Sequence, residues 1–251
     1  HLAIVGPRVR QLLHKAGLLE LLLRAEMLAA LPLEALHVLS FMAIEDACKA
    51  AVGALGAAAA VVESVSTDDR AIQAAAVITL QHLCLSAAIR PQLLEAGVVE
   101  VLLGLMTLEP TLALDAVRAL EVLVLDSTCR AQFVEEKGIA RVFSLLNMDP
   151  TEALRMHVLT LFHRLTFCDD LSAKLRENGV ITLFVELLRT SSSDAHTLLS
   201  LTALGNLSSN DESRPIVRRE LDLELLQPLI TSDNILLASC SNRLFTIALS
   251  L

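Results

Sequence analysis

The chain has no tryptophan, no tyrosine and only seven phenylalanines among its 251 residues. Its core must therefore be aliphatic, and Leu and Ala are present to fill it. Both hold high helix propensity and pack at helical spacing, so the shortage of aromatics favours an all-α chain. A composition of 54% hydrophobic and 20% charged residues excludes disordered and fibrous chains. The five cysteines, Cys48, Cys84, Cys129, Cys168 and Cys240, never come closer than 36 residues. That spacing lacks the paired thiols of a zinc site and reads as small buried side chains in a reducing compartment. No charged-then-apolar signal segment opens the chain, and His1 is not an initiator. The expected location is cytoplasmic, with nucleus and cilium left open. Long apolar runs are scarce too. The uncharged stretch 71–89 contains Gln73, Thr79, Gln81, His82 and Ser86, which are costly in lipid. It reads as a buried helix and not as a membrane span.

Positive charge is scarce in one region. Residues 25–126 hold 13 Asp/Glu against 4 Lys/Arg, a net −9, and the remainder balances at 16 and 16. An acidic segment repels phosphate and anionic lipid, so neither nucleic acid nor a membrane surface is expected there. It attracts a basic peptide or a basic partner face.

What is present is a repeat. Gly56, Gly97, Gly138 and Gly179 stand 41 residues apart, and Gly17 precedes Gly56 by 39. After each of the last three comes an apolar stretch with fixed positions: Val101/Leu102, Val142/Phe143 and Leu183/Phe184. Before the glycine sits another short segment, such as Arg90-Pro91-Gln92-Leu93-Leu94, where Pro91 suits a first helical turn. The glycine lets the chain turn between the two helices. At the next register position stands Glu220 in place of glycine. A longer third helix closes each unit. Pro32, Pro110 and Pro150 mark three of its starts, while Asp68-Asp69, Ser191-Ser192-Ser193-Asp194 and Ser232-Asp233 offer caps to the others. Six units result, about 7–44, 45–86, 87–126, 127–168, 169–209 and 210–251. No linker divides them, so the chain 1–251 reads as one repeat domain. It opens on His1-Leu2-Ala3-Ile4-Val5, like the tail of an earlier helix, and stops in apolar Leu249-Ser250-Leu251. Further repeats or domains are expected beyond both ends, because solenoid termini normally carry a polar outer face.

The pattern resembles the armadillo repeat. The resemblance rests on the glycine turn, on residues 138–146 as a second helix, and on Ala203-Leu204-Gly205-Asn206-Leu207 as a third-helix core. It covers nearly the whole chain and implies a right-handed α-solenoid whose third helices line a concave groove. In this family an Asn ladder on those helices binds the backbone of an extended peptide, with a Trp one turn earlier. The aligned Asn row here reads Val38, His82, Val122, Arg164 and Asn206, with Thr246 in the last unit. The row one turn earlier reads Glu34, Ile78, Arg118, Thr160 and Thr202. Only Asn206 matches the ladder and no Trp exists, so a receptor for nuclear-localisation signals is not implied.

The expected partner groove comprises Ile78, His82, Arg118, Val122, Thr160, Arg164, Thr202 and Asn206. Arg118, Arg164 and Asn206 offer donors to a partner's carboxylates or backbone. Against this stands ordinary solvated surface for the arginines and a structural role for His82. His157 and His163 lie six apart, the wrong spacing for one metal on a helix face. The acidic pairs Glu45-Asp46, Asp68-Asp69, Asp169-Asp170 and Asp211-Glu212 recur at unit boundaries and read as caps and dipole partners rather than as acid–base pairs. No catalytic set, no cofactor motif and no metal motif emerges. The expected function is a protein–protein interaction scaffold. The alternative is a regulatory or client-binding module of a larger chaperone, ubiquitin-ligase or ciliary scaffold protein. An enzyme is not expected.

Overall fold

The computed structural model of the chain describes residues 6–23, 32–106, 110–191 and 193–249. The chain ends at 1–5 and 250–251, and Ser192 of the serine run, lie outside the described residues. Regular structure among the described residues is helical throughout. The helices are α1 (Pro7–Lys15), α2 (Leu18–Leu22), α3 (Pro32–Met42), α4 (Asp46–Ala54), α5 (Ala58–Glu63) and α6 (Arg70–Cys84). They continue as α7 (Arg90–Glu95), α8 (Val98–Leu105), α9 (Pro110–Leu123), α10 (Ser127–Glu135), α11 (Gly138–Leu145) and α12 (Glu152–Leu165). The last are α13 (Ser172–Glu177), α14 (Val180–Thr190), α15 (Asp194–Ser208), α16 (Arg214–Glu220), α17 (Gln227–Ile230) and α18 (Ile235–Leu249). In chain order each pair of short helices is followed by a longer third one.

The glycine turn is where the helix triplet is made. Gly17, Gly56, Gly97 and Gly179 take φ of 77°, 67°, 79° and 76°. Only a residue without Cβ enters that left-handed region freely, so α7 ends and α8 starts within three residues at Gly97. Gly138 departs from the expectation. There the left-handed residue is Lys137, at φ 56°, and Gly138 is already helical. Its glycine answers a different need: a Cβ would lie 2.6 Å from the Phe133 carbonyl oxygen and against the buried Phe133 ring. Glu220, where the period lacks glycine, has the other outcome. The chain leaves α16 extended at Leu221, and a 3-10 turn (Leu223–Leu226) capped by Asp222 leads into the four-residue α17.

Caps follow local chemistry. Asp69 Oδ1 accepts from the amides of Ala71 and Ile72 at 2.8 and 3.2 Å and starts α6. Asp126 does the same for α10 through Thr128 and Cys129, at 2.9 and 3.2 Å. Thr151, after Pro150, caps α12, and Asn210 accepts from the amides of Glu212 and Ser213 in the turn before α16. The expected caps at Ser232-Asp233 are corrected: Asn234 caps α18, accepting from Leu236 and Leu237, while Ser232 Oγ accepts from Asn234. Ser193 stands at the N-cap of α15 without a side-chain cap bond. Nor do the other acidic pairs cap. Glu45 binds Arg10 at 2.7 Å, Asp46 binds Lys49 at 2.7 Å and Asp211 binds Arg214 at 2.9 Å, while Asp169 and Asp170 sit in a 3-10 turn without capping it. Three third-helix ends are closed by arginine. Arg90 donates to the Cys84 carbonyl, Arg130 to Val124 and Arg214 to Ser208, at 2.9, 3.1 and 3.0 Å, each from six residues on.

The chain divides into two compact units, residues 1–138 and 139–251. In the first, α3 packs along α6 and α6 along α9. Its core is aliphatic, with Leu36, Leu80, Leu83, Leu102 and Leu120 fully buried. Each such side chain contributes about 1.5–3 kcal/mol. In the second, α12 packs along α15 and α15 along α18. Phe162 is fully buried there, its ring 6.0 Å from that of Phe143. Among the described residues no single helix is long and apolar enough to cross a membrane. The stretch 71–89 becomes α6 and its following turn, with Ala76, Leu80 and Leu83 fully buried, as expected of a core helix.

Candidate partner-binding face

The third helices carry all eight expected positions. In the first unit Ile78 and His82 lie one turn apart on α6, and Arg118 and Val122 one turn apart on α9. Ile78 is exposed and the other three are half-buried. His82 Nδ1 lies 2.9 Å from the Ser40 carbonyl on α3. A carbonyl only accepts, so Nδ1 carries the proton and the neutral ring keeps Nε2 as an acceptor. Burial holds the His82 pKa below its ordinary value, against the opposing pull of the Ser40 bond. Arg118 reaches back one turn to Asp115, at 3.3 Å. The neighbouring Thr79 is buried and bonds the carbonyls of Ala75 and Leu36, at 2.7 and 3.2 Å.

In the second unit Thr160 and Arg164 lie on α12, and Thr202 and Asn206 on α15, all half-buried. Their polar atoms are wired together. Asn206 Nδ2 donates to Thr166 Oγ1 at 3.1 Å, and that hydroxyl donates to the His163 carbonyl at 2.6 Å. Thr202 Oγ1 lies 3.0 Å from His163 Nε2 and 2.8 Å from the Leu198 carbonyl. With Nε2–H donating to Thr202, the hydroxyl keeps its own hydrogen for the Leu198 carbonyl. Burial, and next the Arg164 charge, hold the His163 pKa below its ordinary value. The His163 ring meets Phe167 edge-on, with centroids 5.1 Å apart. Thr160 bonds the Met156 carbonyl of its own helix at 2.8 Å.

His163 and Thr166 were missed by the sequence alignment. They fall one residue before and two residues after Arg164, the aligned equivalent of Asn206. Rows drawn at equal repeat positions pass between them. The metal reading of His157 and His163 gains nothing: among the described residues no three His, Cys, Asp or Glu side chains converge. Cys48, Cys84 and Cys129 are buried, while Cys168 and Cys240 are half-buried. Burial pushes the Cys84 thiol up to about 12 and the Cys129 thiol up to about 11. A shallow pocket in the first unit is lined by Ala87, Arg90, Pro91, Leu94, Asp126 and Thr128. Arg90 and Asp126 there are already engaged, one closing α6 and the other capping α10.

No protein-family model matches the chain, and no curated protein matches it. Solved structures do. An engineered protein is 21% identical over 92% of this chain and 96% of that one, with a TM-score of 0.79. A computationally designed armadillo repeat protein for modular peptide recognition is 17% identical over 92% and 98%, at 0.80. A designed armadillo repeat protein in complex with the peptide (KR)4 is 18% identical over 92% and 98%, also at 0.80. With the helix triplets, these likenesses show an armadillo-like repeat fold, an all-α solenoid.

Proposed function

We propose that this armadillo-like chain is a protein-interaction scaffold and not an enzyme, taking an extended partner segment along the exposed face of its third helices. The observation that supports the reading is that third helices in both units carry donors. Arg118 lies on α9 in the first unit; Arg164 and Asn206 lie on α12 and α15 in the second. Asn206 commits one amide hydrogen to Thr166, and its Oδ1 has no partner among the described residues. Such an amide, with its other hydrogen and its oxygen, suits a passing peptide backbone. The similar designed protein holds a Lys–Arg peptide; here the −9 charge over residues 25–126 suits basic residues in the segment, while Arg118 and Arg164 suit its carboxylates. Nucleic acid is disfavoured by the same charge. A cytoplasmic location and the action of all six units as one binding domain, within a longer protein, belong to the same proposal.

A paired affinity capture tests it. One bait is the chain itself; the other carries Arg118→Glu, Arg164→Glu and Asn206→Ala, with circular dichroism confirming equal helicity. A partner weakened by about tenfold or more on the second bait supports the reading. A partner retained equally on both baits rejects it.

A further inference from the structure

The turns after α3, α6, α9 and α12 each carry a large apolar side chain pointing into solvent, while the turn after α15 has Ser209 at that place. In the first unit these are Ile44, Leu85 and Leu125, with 48%, 53% and 58% of their surface exposed. They stand 41 and 40 residues apart, within one residue of the 41-residue repeat period. One hydrogen bond holds all three turns alike: Glu45 to the Met42 carbonyl, Ser86 to Leu83 and Asp126 to Leu123, each at 3.0 Å. Since α3, α6 and α9 pack side by side in that order, the three side chains form a row along one rim of the unit. In the second unit Phe167 occupies the same position with 65% exposed. Single exposed apolar residues need no explanation, but a row recurring at the repeat period does.

Charge defines what fits the row. Glu45 and Asp46 follow Ile44, and Asp126 follows Leu125. The Lys49 bond lowers the Asp46 pKa, and the Cys129 amide lowers that of Asp126, so both stay anionic. The cations nearby are drawn inward: Arg90 and Arg130 are held on the carbonyls of Cys84 and Val124, the buried Lys49 is paired with Asp46, whose own carboxylate stays exposed, and the largely buried Arg10 is paired with Glu45. Anionic lipid and phosphate are repelled by such a rim. A second copy docked face to face would set Asp46 and Asp126 against their own kind.

We propose that Ile44, Leu85 and Leu125 form a second docking edge, separate from the third-helix face, for a partner segment that interleaves apolar side chains with Lys or Arg. Its test uses the full chain and two labelled synthetic peptides, one of Leu and Lys and one of Leu and Glu in the same order, read by fluorescence anisotropy. The Leu/Lys peptide is expected to bind and the Leu/Glu peptide not to. Ile44→Ser, Leu85→Ser and Leu125→Ser together are expected to weaken binding by about tenfold or more. Asp126→Asn, which keeps an N-capping oxygen, together with Asp46→Asn is expected to weaken it by a smaller factor and to flatten its salt dependence. Amide exchange on binding is expected to slow at residues 42–46, 83–87 and 123–127. Should the triple variant lose helicity, Leu85→Ser alone gives the same comparison. Equal binding by the serine variant, equal binding of the Leu/Glu peptide, or protection confined to α6 and α9 around Ile78 and Arg118 overturns the proposal. So does a concentration-dependent dimer of the unmodified chain that the serine variant abolishes.

Discussion

In the first unit α6 is tied to α3 through main-chain acceptors, Thr79 reaching the Leu36 carbonyl and His82 the Ser40 carbonyl. In the second unit α15 is tied to α12 through side chains, Asn206 to Thr166 and Thr202 to His163. A carbonyl acceptor tolerates any residue at its position, whereas a side-chain pair specifies both partners. The second face is therefore the more constrained, and it presents amide and hydroxyl groups where the first presents Ile78 and Val122. The turns differ as well. Gly17, Gly56 and Gly97 turn the first unit through the left-handed region, while the second uses Gly179 once and then an extended exit with a 3-10 turn at Leu223–Leu226.

The largest expected effect lies at the irregular turn between these patterns. Gly138→Ala should cost about 1–3 kcal/mol through overlap with Phe133. Lys137→Gly should instead stabilise by about 1 kcal/mol, because it relieves a left-handed residue bearing a Cβ. Denaturant midpoints read both, and equal signs for the two would show that turn to be an ordinary glycine turn.

Next come the ties. Asn206→Ala and Thr166→Val should each cost about 1 kcal/mol and be non-additive, as one shared bond requires. Ser40→Ala should stay within about 0.5 kcal/mol, because His82 uses the Ser40 main chain. Full additivity of the first pair would remove the contrast between the units.

A smaller effect is set by pH. His82 in the first unit and His163 in the second both have lowered folded pKa values. The unfolded chain then binds more protons near and just below the ordinary histidine value. Their contribution is complete above that value and is lost as pH falls towards the folded ones. The melting temperature should be lower at about pH 5.5 than at about pH 7.5, and His163→Gln should flatten the slope. A slope unchanged in that variant would show that His163 does not contribute to it.

Smallest in energy, and sharpest as a contrast, is thiol access. Cys48, Cys84 and Cys129 of the first unit are buried, and Cys168 and Cys240 of the second are half-exposed. An aromatic disulfide reagent should label only the last two in the native chain, and all five after denaturation. Native labelling of Cys84, whose thiol burial pushes up to about 12, would contradict the closed core of the first unit.

Much of the fold was legible because a repeat states itself several times. The glycine period placed the helix triplets, and the missing glycine at Glu220 marked the unit whose second helix is irregular. The arginines at 90, 130 and 214 were visible as letters, but their carbonyl partners lie six residues back across a turn. The eight candidate positions fall on third helices. Their partners were not foreseen, because Asn206 meets Thr166 and Thr202 meets His163 at offsets that break the repeat alignment.

The sequence by itself determined the all-helical class, the triplet and its length, and the acidic first half, since propensity, periodicity and charge are local or additive properties. Tertiary structure alone decided which donors on the third helices are engaged with a neighbouring repeat. It alone decided that Lys137 and not Gly138 makes the left-handed turn, and that Ile44, Leu85 and Leu125 stay in solvent. These depend on what stands opposite a side chain some 40 residues away, and no local pattern encodes that separation.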